Sequence, residues 1–281
     1  MNNGSCLCGD ITWKIEGTPF MMSNCHCSMC RKLHGSACGT YVGVLPDAFC
    51  WTGGVDKIRI YTSSAAGHRS FCPRCGSKVA AAMGDGQSVF MPAGNLDGKI
   101  NRKLDSHVFV ASKAVWFEIT DDVEQFEAYP EMAGIVGIEN PERQPETAGA
   151  IGGSCLCGKV LFEFDETLGR MGYCHCSRCR KSRSAAHSVQ TFVEVDKFRW
   201  VSGESLVENF KLPDSESFFS SFCRDCGSMM PTVHEDRGIA MVPMGAVDQD
   251  PGIRPQAHIY TGSKASWFEI TDDLPQYQAM P

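Results

Sequence analysis

The run Cys25-His26-Cys27-Ser28-Met29-Cys30-Arg31-Lys32 returns at 174–181 as Cys-His-Cys-Ser-Arg-Cys-Arg-Lys. Other blocks repeat around it. Gly-Ser-Cys-Leu-Cys-Gly stands at 4–9 and 153–158, and Phe-Cys-x-x-Cys-Gly-Ser at 71–77 and 222–228. Ser-Lys-Ala-x-Trp-Phe-Glu-Ile-Thr-Asp-Asp stands at 112–122 and 263–273. The offset is 149 for the first two blocks and 151 for the last two, so one two-residue insertion falls between 182 and 221. Such a period is far too long for a solenoid unit and reads as the tandem duplication of a whole domain. The expected division is a first domain at 1–130, a linker at 131–150 and a second domain at 151–281. The linker stretch has four Glu and no aromatic residue, a composition suited to a connector.

Within each domain the apolar pattern is that of strands. Ile11, Trp13 and Ile15 alternate with polar residues, as do Val160, Phe162 and Phe164. Short β-prone runs follow at 58–61, 89–91, 107–110 and 239–242, with Gly and Pro between them. No amphipathic stretch extends over three or four helical turns; at most one turn is expected after each Cys-rich run. The fold class read from this is all-β: two small tandem domains pinned by metal.

The 281 residues carry 26 Lys and Arg against 33 Asp and Glu, a formal charge of −7. That balance disfavours general nucleic-acid binding. Hydrophobic content of 43% is that of a globular chain. No apolar run approaches the 18 or so residues of a membrane helix, so no membrane partner is expected. The first residues, Met-Asn-Asn-Gly-Ser-Cys, have neither a basic nor an apolar region of a secretory signal, and the expected location is cytoplasmic. In a reducing compartment, clustered cysteines more often bind metal than form disulfides.

Of the 16 cysteines, seven in each repeat fall in matched positions. Four thiolates make a closed tetrahedral zinc site, and three leave one position open. The expected closed sets are Cys6, Cys8, Cys72 and Cys75, and Cys155, Cys157, Cys223 and Cys226. The expected open sets are Cys25, Cys27 and Cys30, and Cys174, Cys176 and Cys179. The cofactor is therefore Zn2+, up to two per domain. The closed sets read as structural. The open sets admit two readings at this point, a structural site or one where a substrate binds.

These motifs, in this order, resemble the glutathione-dependent formaldehyde-activating family, which also includes centromere protein V. The segments His107 to Trp116 and His258 to Trp267 resemble the family's closing region. The resemblance covers nearly the whole chain, twice. It implies an Mss4-like all-β fold with two zinc sites per domain. It also implies formation or cleavage of S-hydroxymethylglutathione, a carbon–sulfur lyase reaction whose partners are a small thiol such as glutathione and a small aldehyde such as formaldehyde.

An open zinc held by three thiolates suits a substrate thiol as its fourth ligand, which makes Cys25, Cys27, Cys30, Cys174, Cys176 and Cys179 the expected catalytic set. Arg31, Arg69 and Arg180 are the candidate partners for a carboxylate-rich ligand. Lys32 and Lys181 are expected to balance thiolate charge from the solvent side. His26 and His175, between ligands, are expected to point away from the metal and bond to backbone; His107 and His258 are as readily structural. The repeats differ at three places: Gly35 aligns with Ser184, Cys38 with His187 and Arg69 with Ser220. Cys38 or His187 in the fourth position would close its site. The expected function is a zinc-dependent carbon–sulfur lyase or synthase acting on a thiol adduct of a small aldehyde, with the first domain as the better-preserved centre. The alternative is a noncatalytic zinc-stabilised module that binds a ligand or a protein. Oligomeric state is not legible.

Overall fold

The computed structural model describes residues 1–64, 67–82, 86–129 and 143–281. Most of the stretch read as a linker lies outside them. Each repeat is built from short strands and one helix, as the alternating pattern predicts. In the first, strands Asn2–Ser5, Thr12–Ile15 and Phe49–Gly53 form an antiparallel sheet. Ile11, Trp13 and Ile15 fill its buried face, while Thr12 and Lys14 between them stay partly exposed. A second sheet places Ser106–Val108 parallel to Met21–Cys25, which runs antiparallel to Gly39–Val44, which in turn pairs with Val89–Pro92. A hairpin of Arg59–Thr62 and His68–Phe71 stands apart from both sheets. The second repeat reproduces this plan with Ile151–Ser154, Leu161–Phe164 and Phe198–Ser202, with a sheet centred on Ser188–Glu194, and with the hairpin Val207–Lys211 and Phe219–Cys223.

The helices are longer than expected. Helices α1 (Ser28–His34) and α2 (Ser177–Arg183) each have seven residues, close to two turns rather than one. All seven residues of α1 are buried, so the helix has no polar stripe and leaves no amphipathic signature.

The repeats do not sit side by side as separate beads. Helix α1 packs on the turn Met244–Ala246 of the second repeat, and α2 packs on Ala93–Asn95 of the first. Tyr61 of the first hairpin packs against the core cluster that contains Cys155, Cys223 and Cys226 of the second repeat. Phe210 of the second hairpin joins the cluster formed by Cys6, Cys72 and Cys75, with Arg74 over its ring at 5.7 Å. Phe71 meets Phe222 edge to face at 6.4 Å. Each hairpin of one repeat therefore rests on the four-cysteine set of the other.

Lys32 and Lys181, expected in water, lie in this contact instead. Lys32 is 2% exposed and pairs with Asp248, itself 2% exposed, at 2.6 Å. Ser154 accepts from Lys32 and donates to Asp248 at 2.7 Å. Lys181 makes the mirrored contacts, to Asp97 at 2.9 Å and Ser5 at 2.6 Å, but its side chain is 19% exposed and Asp97 is 51% exposed. The physical reason is the same for both: each lysine follows a cysteine triple on a helix pressed against the other repeat, so its stem is carried into the contact rather than out of it.

Gly35 and Ser184 end their helices in the same left-handed conformation, φ 59° and 55°. A Cβ at Gly35 would come within 2.7 Å of the Met229 Cβ. Ser184 faces Lys78 instead, and its hydroxyl accepts from the Lys78 backbone N–H at 2.8 Å. Gly35→Ser should therefore cost about 1–3 kcal/mol through overpacking and left-handed strain. Ser184→Gly should cost under about 1 kcal/mol, since losing the hydrogen bond is partly offset by relief of that strain. Chemical-denaturation midpoints of the two variants check the difference.

Candidate metal centres

Cys6 directly follows strand Asn2–Ser5, and the turn after it holds Cys8; Cys72 directly follows strand His68–Phe71, and the turn closed by Gly76 N–H to the Cys72 carbonyl holds Cys75. The four sulfurs lie within 4.8 Å of one another, as do those of Cys155, Cys157, Cys223 and Cys226. Individual separations are 3.5 Å for Cys6 to Cys8, 3.7 Å for Cys8 to Cys72 and 3.8 Å for Cys157 to Cys223. A zinc ion about 2.3 Å from four sulfurs sets them roughly 3.8 Å apart, so both sets have the size of a zinc tetrahedron. Backbone N–H groups of Ile11 and Val160 point at the sulfurs of Cys6 and Cys155, each at 3.3 Å. All 16 cysteines are free of disulfides.

Lys78 supplies a separate test of whether metal-bound thiolates suit these clusters. It is buried, its ammonium donates to the Gly76 carbonyl at 2.9 Å, and among the described residues no carboxylate pairs with it. Burial pushes its pKa well down, and the neighbouring Arg183 adds to this; the opposing charges are those of Cys226 and Cys75. A lysine buried between two cysteine clusters keeps its charge only beside anionic partners. Four thiolates around Zn2+ carry a net charge near −2 and fit that need.

The three-cysteine sets also assemble. Cys25, Cys27 and Cys30 bring their sulfurs within 4.8 Å, as do Cys174, Cys176 and Cys179. The convergence does not come from one extended strand. The strand ends at Cys25, and Cys27 is already the N-cap of α1, its sulfur accepting from the Cys30 N–H at 3.4 Å. Cys176 does the same for Cys179 at 3.4 Å. Neither Cys38 nor His187 joins these groups. Burial pushes the Cys38 thiol up to about 12, and His187 packs against Tyr173, His175 and Phe268.

His26 bonds to another histidine, not to backbone. Its Nε2 lies 2.8 Å from Nδ1 of His107, whose Nε2 faces Asp121 at 3.1 Å. The second repeat has the same chain, His175 to His258 at 2.8 Å and on to Asp272 at 3.0 Å. Burial, then the adjacent histidine, lowers His26 and His175 to about 3, so both rings are neutral. The carboxylate can only accept, so His107 and His258 donate to it and accept from His26 and His175. Each Cys-His-Cys run is thereby tied to the late strand. Asp121→Ala should lower stability by about 1–3 kcal/mol by orphaning the His107 N–H, which a thermal melt will show as a drop of several degrees. Sequence reading passed over Asp121 and Asp272, although both stand in the identical closing block.

The surroundings of the two open sets are not alike. Arg69 lies near Cys30, Cys27 and Cys25; burial works against its charge, but these sulfurs and Tyr41 more than offset that and raise its pKa. Its Nε donates to Ser63 at 3.2 Å. Ser220, at the aligned position, bonds to Ser182 and to the Cys75 carbonyl at 2.8 and 3.1 Å. Arg31 is buried beside the first set. Arg180 reaches toward the Gly94 carbonyl of the other repeat at 3.4 Å. The Tyr41 hydroxyl stands 3.6 Å from Cys30 Sγ and 2.8 Å from His34 Nε2, a pair that sequence reading did not single out.

The chain matches the family described as glutathione-dependent formaldehyde-activating enzyme over residues 1–112 and again over 150–263. A Halomonas elongata protein, named provisionally as a glutathione-dependent formaldehyde-activating enzyme, is 27% identical over 139 residues, covering 46% of this chain and 88% of that protein. A crystal structure of a Rhodobacter sphaeroides protein is similar at 19% identity, over 36% of this chain and 92% of that one, with a TM-score of 0.30. Among the described residues no helix is long and apolar enough to cross a membrane.

Proposed function

Since this chain belongs to the glutathione-dependent formaldehyde-activating family, we propose that it is a zinc-dependent carbon–sulfur lyase or synthase acting on a glutathione-type thiol adduct of a small aldehyde such as formaldehyde. The observation that carries this reading is the pair of three-sulfur sets, distinct from the two four-sulfur sets. Cys25, Cys27 and Cys30, and likewise Cys174, Cys176 and Cys179, would hold Zn2+, which would supply a Lewis acid able to take a substrate thiol as a further ligand. The residues of the chain do the rest. Cys25 at the strand end, Cys27 at the N-cap of α1 and Cys30 on the helix fix the three ligand positions. Arg69 keeps a positive charge beside them, which favours an anionic thiol substrate over a neutral one. The four-cysteine sets hold the hairpins to the sheets, and two domains, at 1–130 and 151–281, carry one set of each kind. The clustered thiols suit the reducing cytoplasm.

The first repeat keeps Arg69, whereas the second has Ser220, so the first is the proposed working centre and the second is a weaker one. Exchange spectroscopy on glutathione and formaldehyde tests this against the spontaneous rate. Cys27→Ser should abolish the acceleration and Cys176→Ser should reduce it less. No acceleration over buffer by the zinc-loaded protein removes the formaldehyde assignment and favours the noncatalytic binding module. The reverse ranking of the variants places the chemistry in the second repeat.

A further inference from the structure

Three aligned positions beside the open sets differ together. The first repeat has His34, Gly39 and Tyr41; the second has Arg183, Ser188 and Gln190. In the first repeat they form one device. His34 ends α1, and Tyr41 lies on the strand Gly39–Val44. A Cβ at Gly39 would fall 2.7 Å from the His34 ring and 2.9 Å from the Tyr41 ring, so only glycine lets the two meet. In the second repeat the same two positions bond differently, with Arg183 Nη2 donating to Gln190 at 3.3 Å, and Ser188 fits where Gly39 stood.

The direction of the hydrogen bonds follows from the far end. His34 Nδ1 lies 2.7 Å from the backbone carbonyl of Arg183, in the other repeat. A carbonyl only accepts, so Nδ1 carries the hydrogen. His34 is fully buried between a carbonyl and a phenol, with no carboxylate paired to it among the described residues, so the ring is neutral and Nε2 accepts. The Tyr41 hydroxyl therefore spends its hydrogen on His34. Its oxygen keeps an acceptor site on the side of Cys30, and a thiolate there has no hydrogen to fill it. Tyr41 is also less buried than His34. What this leaves beside the first open set is an aimed acceptor for a hydroxyl.

We propose that Tyr41 accepts a hydrogen bond from the hydroxyl of a thiol adduct bound at the first three-cysteine set, with His34 as a positioning residue, and that the second set lacks this selectivity. The inference rests on the reading of these sets as open metal centres that take a thiol. It names the ligand class for the first centre, a thiol bearing a nearby hydroxyl, as a thiohemiacetal does. At the second centre Gln190 Oε1 already accepts from Arg183, and the Ser188 hydroxyl beside Cys179 keeps its own hydrogen, so among the described residues no hydroxyl oxygen there has its hydrogen committed elsewhere as that of Tyr41 has.

The test uses the full chain loaded with cobalt(II), whose sulfur-to-metal absorption reports a bound thiol without turnover. The probes are 2-mercaptoethanol and 2-methoxyethanethiol, alike except for the hydroxyl hydrogen. In the Cys176→Ser background, where only the first centre remains, 2-mercaptoethanol should bind about tenfold more tightly. Tyr41→Phe should erase that ratio while leaving the affinity for 2-methoxyethanethiol unchanged. Gly39→Ser, which pushes His34 and Tyr41 apart, should erase it too. In the Cys27→Ser background, which isolates the second centre, the two probes should bind alike. A ratio near one at the first centre, or a ratio that survives Tyr41→Phe, overturns the role of Tyr41 and leaves the open-centre reading standing. No spectral response to either thiol in any form overturns the open-centre reading, and the role of Tyr41 with it.

Discussion

Cys72→Ser, and equally Cys223→Ser, should leave a protein that does not fold at 37 °C. A structural zinc site contributes on the order of 10–16 kcal/mol of binding free energy to small folded units, as much as the roughly 5–15 kcal/mol by which domains are stable. Cys72 and Cys223 are fully buried, and each sits at the foot of a hairpin whose partner arm rests on the other repeat. Loss of either closed centre should therefore melt both repeats in one transition. Cys27→Ser and Cys176→Ser should behave otherwise. Each sulfur caps a helix N-terminus, and serine is among the best residues for that position, so the helix keeps its cap while the open centre loses a ligand. Thermal melts of the four variants read the difference. Equal destabilisation by all four would show that the three-cysteine sets are structural as well.

Lys32→Met should cost about 3–5 kcal/mol, because it strands Asp248 as a buried carboxylate whose one remaining side-chain partner among the described residues is the Ser154 hydroxyl. The same change at Lys181 should cost no more than about 1 kcal/mol, since half-exposed Asp97 recovers water when its partner leaves. At about 2–4 °C per kcal/mol for chains somewhat shorter than this one, the first change should lower Tm by about 10 °C and the second by a few degrees at most. Replacing Lys32 and Asp248 together by Met and Leu should recover most of the loss, as paired removal of a buried ion pair usually does. If Lys32→Met and Lys181→Met melt together, the contact between repeats is looser than the geometry indicates.

The parts of this fold that were legible in the sequence are those fixed by local spacing. Two thiols separated by one or two residues converge through a single turn whatever surrounds them, so the three-cysteine sets and each pair of the four-cysteine sets show in the spacing alone, while the joining of Cys6 and Cys8 to Cys72 and Cys75 follows from the count of seven cysteines per repeat. The strands around Trp13 and Phe162 were legible for a similar reason: one face is buried and the other wet, and the pattern alternates. What stayed hidden depends on how the repeats meet. Lys32 and Lys181 stand in identical motifs, yet one is sealed against Asp248 and the other reaches solvent. Helix α1 is buried all round by the cysteine set and the other repeat, which erases the period that would have announced it. His34 and Tyr41 belong to no motif; a carbonyl from the other repeat aims the pair, and no spacing along the chain encodes that contact.

The most direct measurement of the central claim, four centres of two kinds, is metal content with a thiol count. Freshly purified protein should give four zinc ions per chain, one for each cysteine cluster, and 16 titratable thiols after denaturation in chelator. Protein that is folded, free of zinc and short of thiols because its cysteines are paired as disulfides would contradict the account at its base.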